Sequence, residues 1–148
     1  MNGKVLTFYL NNRSFGIDIT KVEEINRNIQ FTPVPTSREY IVGLFNMRGQ
    51  VVTLFDIGRR LEYRHRGEYK RPTSIILKQN STDGDLVGFL IDRPGDVIDV
   101  KKGECEPLPA NVSAVESRFI NKIVKRRDEL IMLIDTDEIF RHGYEEVQ

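Results

Sequence analysis

The feature that most constrains this chain is an internal repeat, because a repeat fixes the architecture before any single element is considered. Residues 40–56 align with residues 119–135 without a gap, at a separation of 79 positions. Ten of the seventeen aligned pairs are identical or both apolar, and the identical pairs include Arg48 with Arg127. A match of this length and regularity indicates two copies of one folding unit.

A second window supports the repeat. Residues 15–25 align with residues 87–97 at a separation of 72 positions, with Gly16 opposite Gly88. We therefore expect one domain that contains two half-repeats of about 65 residues and a short connector between them. Their ranges are 1–148 for the domain, about 4–61 and 73–140 for the half-repeats, and 62–72 for the connector.

Short apolar runs bounded by turn residues predict a mainly β chain, because Val, Ile, Phe, Thr and Tyr dominate these runs. With about five short strands in each copy and Gly and Pro at the corners, a small closed or nearly closed barrel is favoured over an open sheet. The clearest strand candidates are residues 5–10, 51–55, 74–77, 87–91 and 130–134. The brief helix candidates are residues 18–25, 38–42, 56–61 and 135–141.

Composition narrows the function classes. The 22 basic and 22 acidic residues cancel, which argues against a non-specific nucleic-acid binder, since that mode needs uncompensated Lys and Arg. The single cysteine excludes a disulfide framework, and no apolar run approaches the ~20 residues that span a bilayer. We expect a cytoplasmic protein.

The zero net charge conceals an imbalance between the halves. Residues 1–72 hold 12 Lys and Arg against 7 Asp and Glu, whereas residues 73–148 hold 10 against 15. One basic and one acidic half would suit head-to-tail contact between double barrels of this kind.

The sequence predicts no catalytic, cofactor-binding or metal-binding residues. His65 and His142 lie apart in polar segments, and Cys105 stands between two glutamates that disfavour a thiolate. Asp56 and Asp135 could be a catalytic pair, but each follows an apolar strand and precedes a short helix candidate. We therefore favour helix N-caps for both aspartates and predict that the protein is not an enzyme.

Two segments carry binding hypotheses. Residues 59–71 contain six Lys or Arg and two tyrosines, which resembles a nucleic-acid patch, although a solvated charged linker is the commoner outcome. Residues 46–49, with the sequence NMRG, form a polar turn between apolar strands. Arg48 in this turn could present its forked donors to a partner carboxylate or form a salt bridge inside the domain, and both alternatives stay open.

Taken together, these motifs resemble the CheW-like domain of bacterial chemotaxis over about residues 4–141. The first half-repeat contributes FGIDI at 15–19, VEEI at 22–25, PVP at 33–35, IVG at 41–43, NMRG at 46–49 and LFD at 54–56. The second contributes VGF at 87–89, PLP at 107–109 and LIMLID at 130–135.

The resemblance implies a mainly β fold with two SH3-like five-stranded β-barrel subdomains packed around a shared core, with short helices. It also implies a non-enzymatic coupling protein, without cofactors, that links the signalling tip of methyl-accepting chemotaxis receptors to the regulatory domain of the histidine kinase CheA. Such a protein is recruited to membrane receptor arrays only through the receptors. The alternatives are a scaffold of another sensory cluster, for pilus or biofilm control, and a nucleic-acid-binding small barrel.

The family positions that the resemblance links to partner binding can be carried over residue by residue. They fall on Val22, Glu24, Gly43, Arg48, Gly49 and Gly88, and Ile25 and Asn46 are added as further partner-binding candidates. In this interpretation Val22 and Ile25 offer apolar contact to a receptor helix, while Glu24 and Arg48 fix its register. The sequence departs from the family pattern at Lys122, where a glycine is usual, and at Gly58, where an arginine is common.

Overall fold

The computed structural model has twelve β-strands and several short helices in its described residues. The structure describes residues 3–35, 40–63, 72–79 and 86–145, with side chains described to residue 140. The strands are β1 (Gly3–Leu10), β2 (Arg13–Asp18), β3 (Val22–Asn26), β4 (Thr32–Pro33), β5 (Ile41–Met47), β6 (Gln50–Phe55), β7 (Thr73–Leu77), β8 (Val87–Ile91), β9 (Arg93–Val100), β10 (Cys105–Glu106), β11 (Ile120–Arg126) and β12 (Glu129–Ile134). The α-helices are α1 (Ile57–Arg60), α2 (Ala114–Phe119) and α3 (Thr136–Glu145).

The strands form two compact units, each built on one six-stranded sheet. Residues 21–92 form the first, called here the continuous unit, with strand order β4-β5-β6-β8-β7-β3. Residues 1–20 and 93–148 form the second, called the split unit, with strand order β10-β11-β12-β2-β1-β9. Each sheet has five longer strands and one strand of two residues, so the predicted mainly β class with two SH3-like subdomains is confirmed.

The repeat appears in the structure as equivalent strand orders, since adding six to each strand number, with β1 counted after β12, converts one sheet into the other. The matched glycines occupy the same place in both sheets. Gly16 on β2 pairs with Leu133 on β12, and Gly88 on β8 pairs with Leu54 on β6, in the only parallel pairings among the described strands. The two offsets found in the sequence therefore correspond to equivalent strands.

The expectation that each half of the chain forms its own barrel is wrong. Hairpin β1–β2 of the first half joins the later strands of the second half, and hairpin β7–β8 of the second half joins the earlier strands of the first. The physical reason lies in the parallel pairs, β6 with β8 and β2 with β12. Parallel strands cannot be joined by a tight turn, so the two strands of each pair are distant in sequence, and one of them comes from the other half of the chain.

This exchange also removes most of the charge imbalance. The continuous unit holds 11 Lys and Arg against 9 Asp and Glu, and the split unit holds 11 against 13. Net charges of +5 and −5 on the two halves of the sequence become +2 and −2 on the continuous and split units. The argument from one basic and one acidic half to head-to-tail contact therefore fails.

Some local predictions need correction. The helix predicted over residues 18–25 is a single 3-10 turn (Ile19–Lys21) followed by β3, because the β-branched side chains of Val22 and Ile25 join a ladder with β7. The helix predicted over residues 38–42 is wrong at its C-terminal end, where β5 begins, while residues 38 and 39 lie outside the described residues. Helix α2 was not predicted, although Ser113 caps it by accepting from the Glu116 backbone N–H at 3.0 Å.

The two aspartates that might have formed a catalytic pair are N-caps, as predicted. Asp56 Oδ1 accepts from the Arg59 backbone N–H, and Asp135 Oδ1 accepts from the Glu138 backbone N–H, both at 3.1 Å. The repeat extends to their own backbone bonds, since Asp56 N–H donates to the Tyr40 carbonyl at 2.7 Å and Asp135 N–H donates to the carbonyl of Phe119 at 2.8 Å.

Candidate partner-binding site

All the candidate residues from the sequence lie in the continuous unit. Val22, Glu24 and Ile25 are on β3, Gly43 and Asn46 are on β5, and Gly88 is on β8. Arg48 and Gly49 are the two-residue turn between β5 and β6. The geometry groups these residues into a charged surface cluster and a set of buried backbone positions.

The charged cluster is centred on the β5–β6 turn. Arg48 and Gly49 have φ angles of 51° and 83°, which is the type I′ arrangement that suits a two-residue hairpin. Asn46 Oδ1 accepts from the Gly49 backbone N–H at 2.9 Å and so holds the turn closed. Asn–Gly is the residue pair that such a turn favours, so an arginine at its first position needs a further reason.

Glu24 supplies that reason. The Arg48 guanidinium donates to both carboxylate oxygens of Glu24, with the longer of the two contacts, from Nη1 to Oε2, at 3.4 Å. The Arg48 side chain is 68% exposed and that of Glu24 is 26% exposed, so the pair lies at the surface. The hydrogen bond to Glu24, together with its charge and that of Glu23, raises the pKa of Arg48 above its ordinary value.

The pair also closes the sheet. Strand β3 stands at one end of the strand order and β5 near the other, so the contact from Glu24 to Arg48 joins the two ends. Asn26 on β3 adds a second link, because its side-chain amide donates to Met47 Sδ at 3.4 Å. The salt bridge inside the domain is therefore present, and it holds the Arg48 guanidinium at a defined place on the surface.

Val22 and Ile25 are half-buried on β3, where they pair with Leu77 and Ile75 of β7. Each leaves part of an aliphatic side chain open to solvent. The surface of the continuous unit thus includes a fixed arginine–carboxylate pair and partly exposed aliphatic side chains on β3.

Gly43 and Gly88 are buried positions where the backbone needs the space. A Cβ at Gly43 would lie 2.6 Å from the Thr32 carbonyl oxygen, and a Cβ at Gly88 would lie 2.7 Å from Ile76 Cδ1. The structure does not bring Gly88 to the charged cluster, because Gly88 pairs with Leu54 and Ile76 inside the sheet. These glycines act on the site through the packing of its strands.

The two departures from the family pattern have structural explanations. Lys122 is the repeat counterpart of Gly43, but β10 pairs with Ile123 and Val124 and leaves residue 122 exposed, so a side chain fits. In the continuous unit, by contrast, β4 pairs directly with Gly43. At Gly58 an added Cβ would meet only Asp56 Oδ1, at 3.1 Å.

The sequence analysis missed Val51 as a surface residue. Val51 lies two positions after Gly49, is 58% exposed, and pairs across the hairpin with exposed Asn46. The alternation of side chains along a strand would have predicted this exposure. The buried side chains of β6 include Val52 and Leu54, two positions apart, so Val51 points to the other face. An apolar run was therefore interpreted as core where one residue points outward.

The remaining sequence candidates are the histidines, the cysteine and possible metal ligands. No group of His, Cys, Asp and Glu suited to a metal ion occurs among the described residues. Cys105 is a half-buried free thiol. His65 and the side chain of His142 lie outside what the structure describes.

The basic segment at residues 59–71 is only partly described, since residues 64–71 fall outside the described ranges. Two of its arginines make contacts inside the continuous unit. Arg59 Nε lies 3.6 Å from Asp56 Oδ2, and the Arg60 guanidinium lies 4.6 Å from the centre of the Tyr40 ring.

No helix in the described ranges is long and apolar enough to cross a membrane.

Comparison with known proteins decides the family. Residues 4–143 match the CheW-like domain. The chain belongs to the CheW-like domain family. The match covers both compact units, and it confirms the family indicated by the motifs of the two half-repeats.

Relatives within the family are of similar length. The chain is 29% identical to the chemotaxis protein CheW of Bacillus subtilis over 92% of this chain and 85% of that protein. It is 26% identical to the chemotaxis protein CheW of Helicobacter pylori over 93% and 81%. The crystal structure of the scaffolding protein TtCheW from Thermoanaerobacter tengcongensis matches with a TM-score of 0.79 and 29% identity, covering 91% of this chain and 90% of that one. These similarities support a chemotaxis scaffold protein.

Proposed function

We propose that this protein is a non-enzymatic adaptor that couples the cytoplasmic signalling tip of methyl-accepting chemotaxis receptors to the regulatory domain of the histidine kinase CheA. It would thereby be recruited to receptor arrays at the membrane from the cytoplasm. The observation that carries the proposal is the exposed Glu24–Arg48 pair, held at a fixed place by the β5–β6 turn in a CheW-like fold.

The chemistry of the surface supports protein binding. The pair leaves Arg48 largely exposed, and Val22, Ile25 and Val51 supply aliphatic surface on the same unit. Arginine is enriched at protein interfaces, and the buried centre of an interface is more apolar than the rest of the protein surface. Among the described residues, no group of His, Cys, Asp and Glu is suited to hold a metal ion.

The direct test is to measure binding of the full chain to two purified partners separately. One is a receptor signalling-tip hairpin and the other is the CheA regulatory domain, each titrated by calorimetry at ~150 mM salt. We expect micromolar or tighter binding to both. Binding to neither would contradict the proposal, and binding instead to components of a pilus- or biofilm-controlling cluster would reassign the adaptor to that system.

A charge swap tests whether the pair contacts a partner. Arg48→Glu places a third carboxylate beside Glu24 and Glu23, and we expect it to weaken partner binding by about tenfold while the chain stays folded. The double variant Glu24→Arg with Arg48→Glu restores opposite charges within the pair, so its thermal stability should recover. Binding should stay weak in the double variant, because the partner would now meet the reversed charges.

The double variant separates two roles. If it recovers both stability and binding, the pair is only a structural link and the contact assigned to Arg48 is wrong. Unfolding of the single variant, with full recovery in the double, would lead to the same conclusion. Circular dichroism spectra of every variant should accompany the titrations.

A further inference from the structure

The β11–β12 hairpin of the split unit, like the β5–β6 hairpin, has a two-residue turn that begins with an arginine of left-handed φ, although its second residue, Asp128, lacks the positive φ of Gly49. Arg127 stands at the repeat position of Arg48, and both arginines have a φ of 51°. Asp96 on β9 stands at the repeat position of Glu24. The same two charges therefore recur at equivalent places in the second unit.

In the split unit these two charges are not joined. Asp96 lies where the register of β1 and β9 shifts, and Thr7 donates its hydroxyl to the Asp96 backbone carbonyl at 2.7 Å. An aspartate is also one methylene shorter than a glutamate. Within the described part of the chain, neither the Arg127 guanidinium nor the Asp96 carboxylate makes a hydrogen bond or an ion pair.

The left-handed backbone of Arg127 gives a meaning to the missing contacts of its guanidinium. A left-handed φ is costly for an arginine, whereas glycine or asparagine adopts it at little cost. At Arg48 the strained backbone delivers the guanidinium to Glu24. Arg127 has the same costly φ, but its guanidinium contacts no described residue. A strained residue whose side chain has no partner inside the chain points to a contact with another molecule.

Arg127 has an apolar neighbour on the same hairpin. Leu130 is 50% exposed and lies opposite Lys125, whose side chain is 63% exposed and is 3.4 Å from Glu106. Leu130 is the repeat counterpart of Val51, so both units present an exposed aliphatic side chain shortly after the hairpin arginine. The surface of the split unit thus combines unpaired positive charge with one large aliphatic side chain.

We propose that Arg127 and Leu130 form a docking surface for a partner protein segment that presents an Asp or Glu carboxylate beside an aliphatic side chain. Charge complementarity to the free guanidinium selects the carboxylate, and Leu130 selects its apolar neighbour. The proposal rests on the proposed function. An adaptor that holds two partners at once needs two surfaces, and the candidate residues carried over from the family all lie in the other unit.

The test is Arg127→Asn in the full-length chain, with the receptor-tip hairpin and the CheA regulatory domain titrated separately. Asparagine keeps the left-handed turn but removes the guanidinium. We expect the affinity for one of the two partners to fall by about tenfold and the other affinity to stay unchanged. The thermal midpoint should rise by about 2–4 °C, because the backbone strain is relieved.

Opposite changes in stability and binding are the signature of a contact residue, since loss of a structural residue lowers both. Lys122→Asn, which removes an exposed positive charge from β11 of the same unit, is the matched control and should leave both affinities unchanged. Leu130→Ser should weaken the same partner as Arg127→Asn.

Three results would overturn the inference. Unchanged affinities of Arg127→Asn, with the unsubstituted chain binding normally, would overturn it and leave the proposed function standing. If the unsubstituted chain binds neither partner, the proposed function fails and this inference fails with it. If Arg127→Asn alters only self-association in sedimentation velocity, the surface belongs to a second copy of the chain.

Discussion

At the scale of single residues, the strongest constraint is the close approach of backbones at the parallel strand pairs. Gly16 and Gly88 occupy equivalent positions there, and an added Cβ would lie 2.5 Å from Val5 Cγ1 at the first and 2.8 Å from Ser74 Oγ at the second. Neither glycine is needed for a left-handed backbone. The repeat therefore preserves a packing requirement at this position.

Gly88→Ala should destabilise the protein by about 1–3 kcal/mol, because the extra methyl group has to displace side chains in a fully packed sheet. Urea denaturation followed by circular dichroism measures the change. Gly3→Ala is the control and should change the stability little, since no atom lies within 4 Å of a Cβ built there. Equal stability of the two variants would contradict the packing role of Gly88.

At the scale of elements, the strand-to-helix junctions are built in the same way in both units. Each junction has an aspartate that follows a sheet strand, caps the next helix and donates its own N–H to the carbonyl of an aromatic residue. Asp56 is buried in this arrangement, whereas Asp135 is half-buried. The junctions show how a short helix is held to its sheet by local hydrogen bonds.

Asp56→Ala and Asp135→Ala should each lower the free energy of unfolding by about 1 kcal/mol, because each leaves a helix N–H without its side-chain acceptor. Asp56→Asn and Asp135→Asn keep an acceptor oxygen and should retain most of the stability. Thermal denaturation of the four variants measures the difference. Asparagine variants as unstable as the alanine variants would show that the caps are not the source of the effect.

At the scale of the whole molecule, the two compact units divide the chain differently from the two sequence copies. Every strand pairing in the sheet of the continuous unit falls within residues 21–92. One hydrophobic cluster of this unit, built around Val52, Leu54, Ile76 and Leu90, also comes entirely from that range. A fragment of the continuous unit therefore contains its own sheet and that cluster.

A fragment of residues 21–92 should fold alone, whereas a fragment of residues 1–72, of the same length, should not. The first contains all six strands of one sheet, and the second lacks hairpin β7–β8 and has β1–β2 without the strands it pairs with. Dispersion of amide signals in a nitrogen–proton NMR spectrum distinguishes the two. A folded 1–72 fragment beside an unfolded 21–92 fragment would contradict the assignment of the units.

Much of the local structure could be predicted from the sequence. The runs at residues 5–10 and 87–91 are strands, and Asp56 and Asp135 are N-caps, because these features depend on neighbouring residues. Helix α2 and strand β3 were not predicted, since tertiary pairing overrides weak local preference in short segments. The outward orientation of Val51 follows from the alternation of side chains along β6 and could also have been predicted.

The sequence by itself determined that this chain contains two equivalent sets of β-strands, with arginines at matching hairpin turns. Only the tertiary structure decided which hairpin joins which set, and that Arg48 meets Glu24 while Arg127 meets no described residue. The physical reason lies in the repeat itself. Two copies with the same apolar pattern offer each strand two similar partners, so the choice between them depends on packing between distant segments that no local pattern encodes.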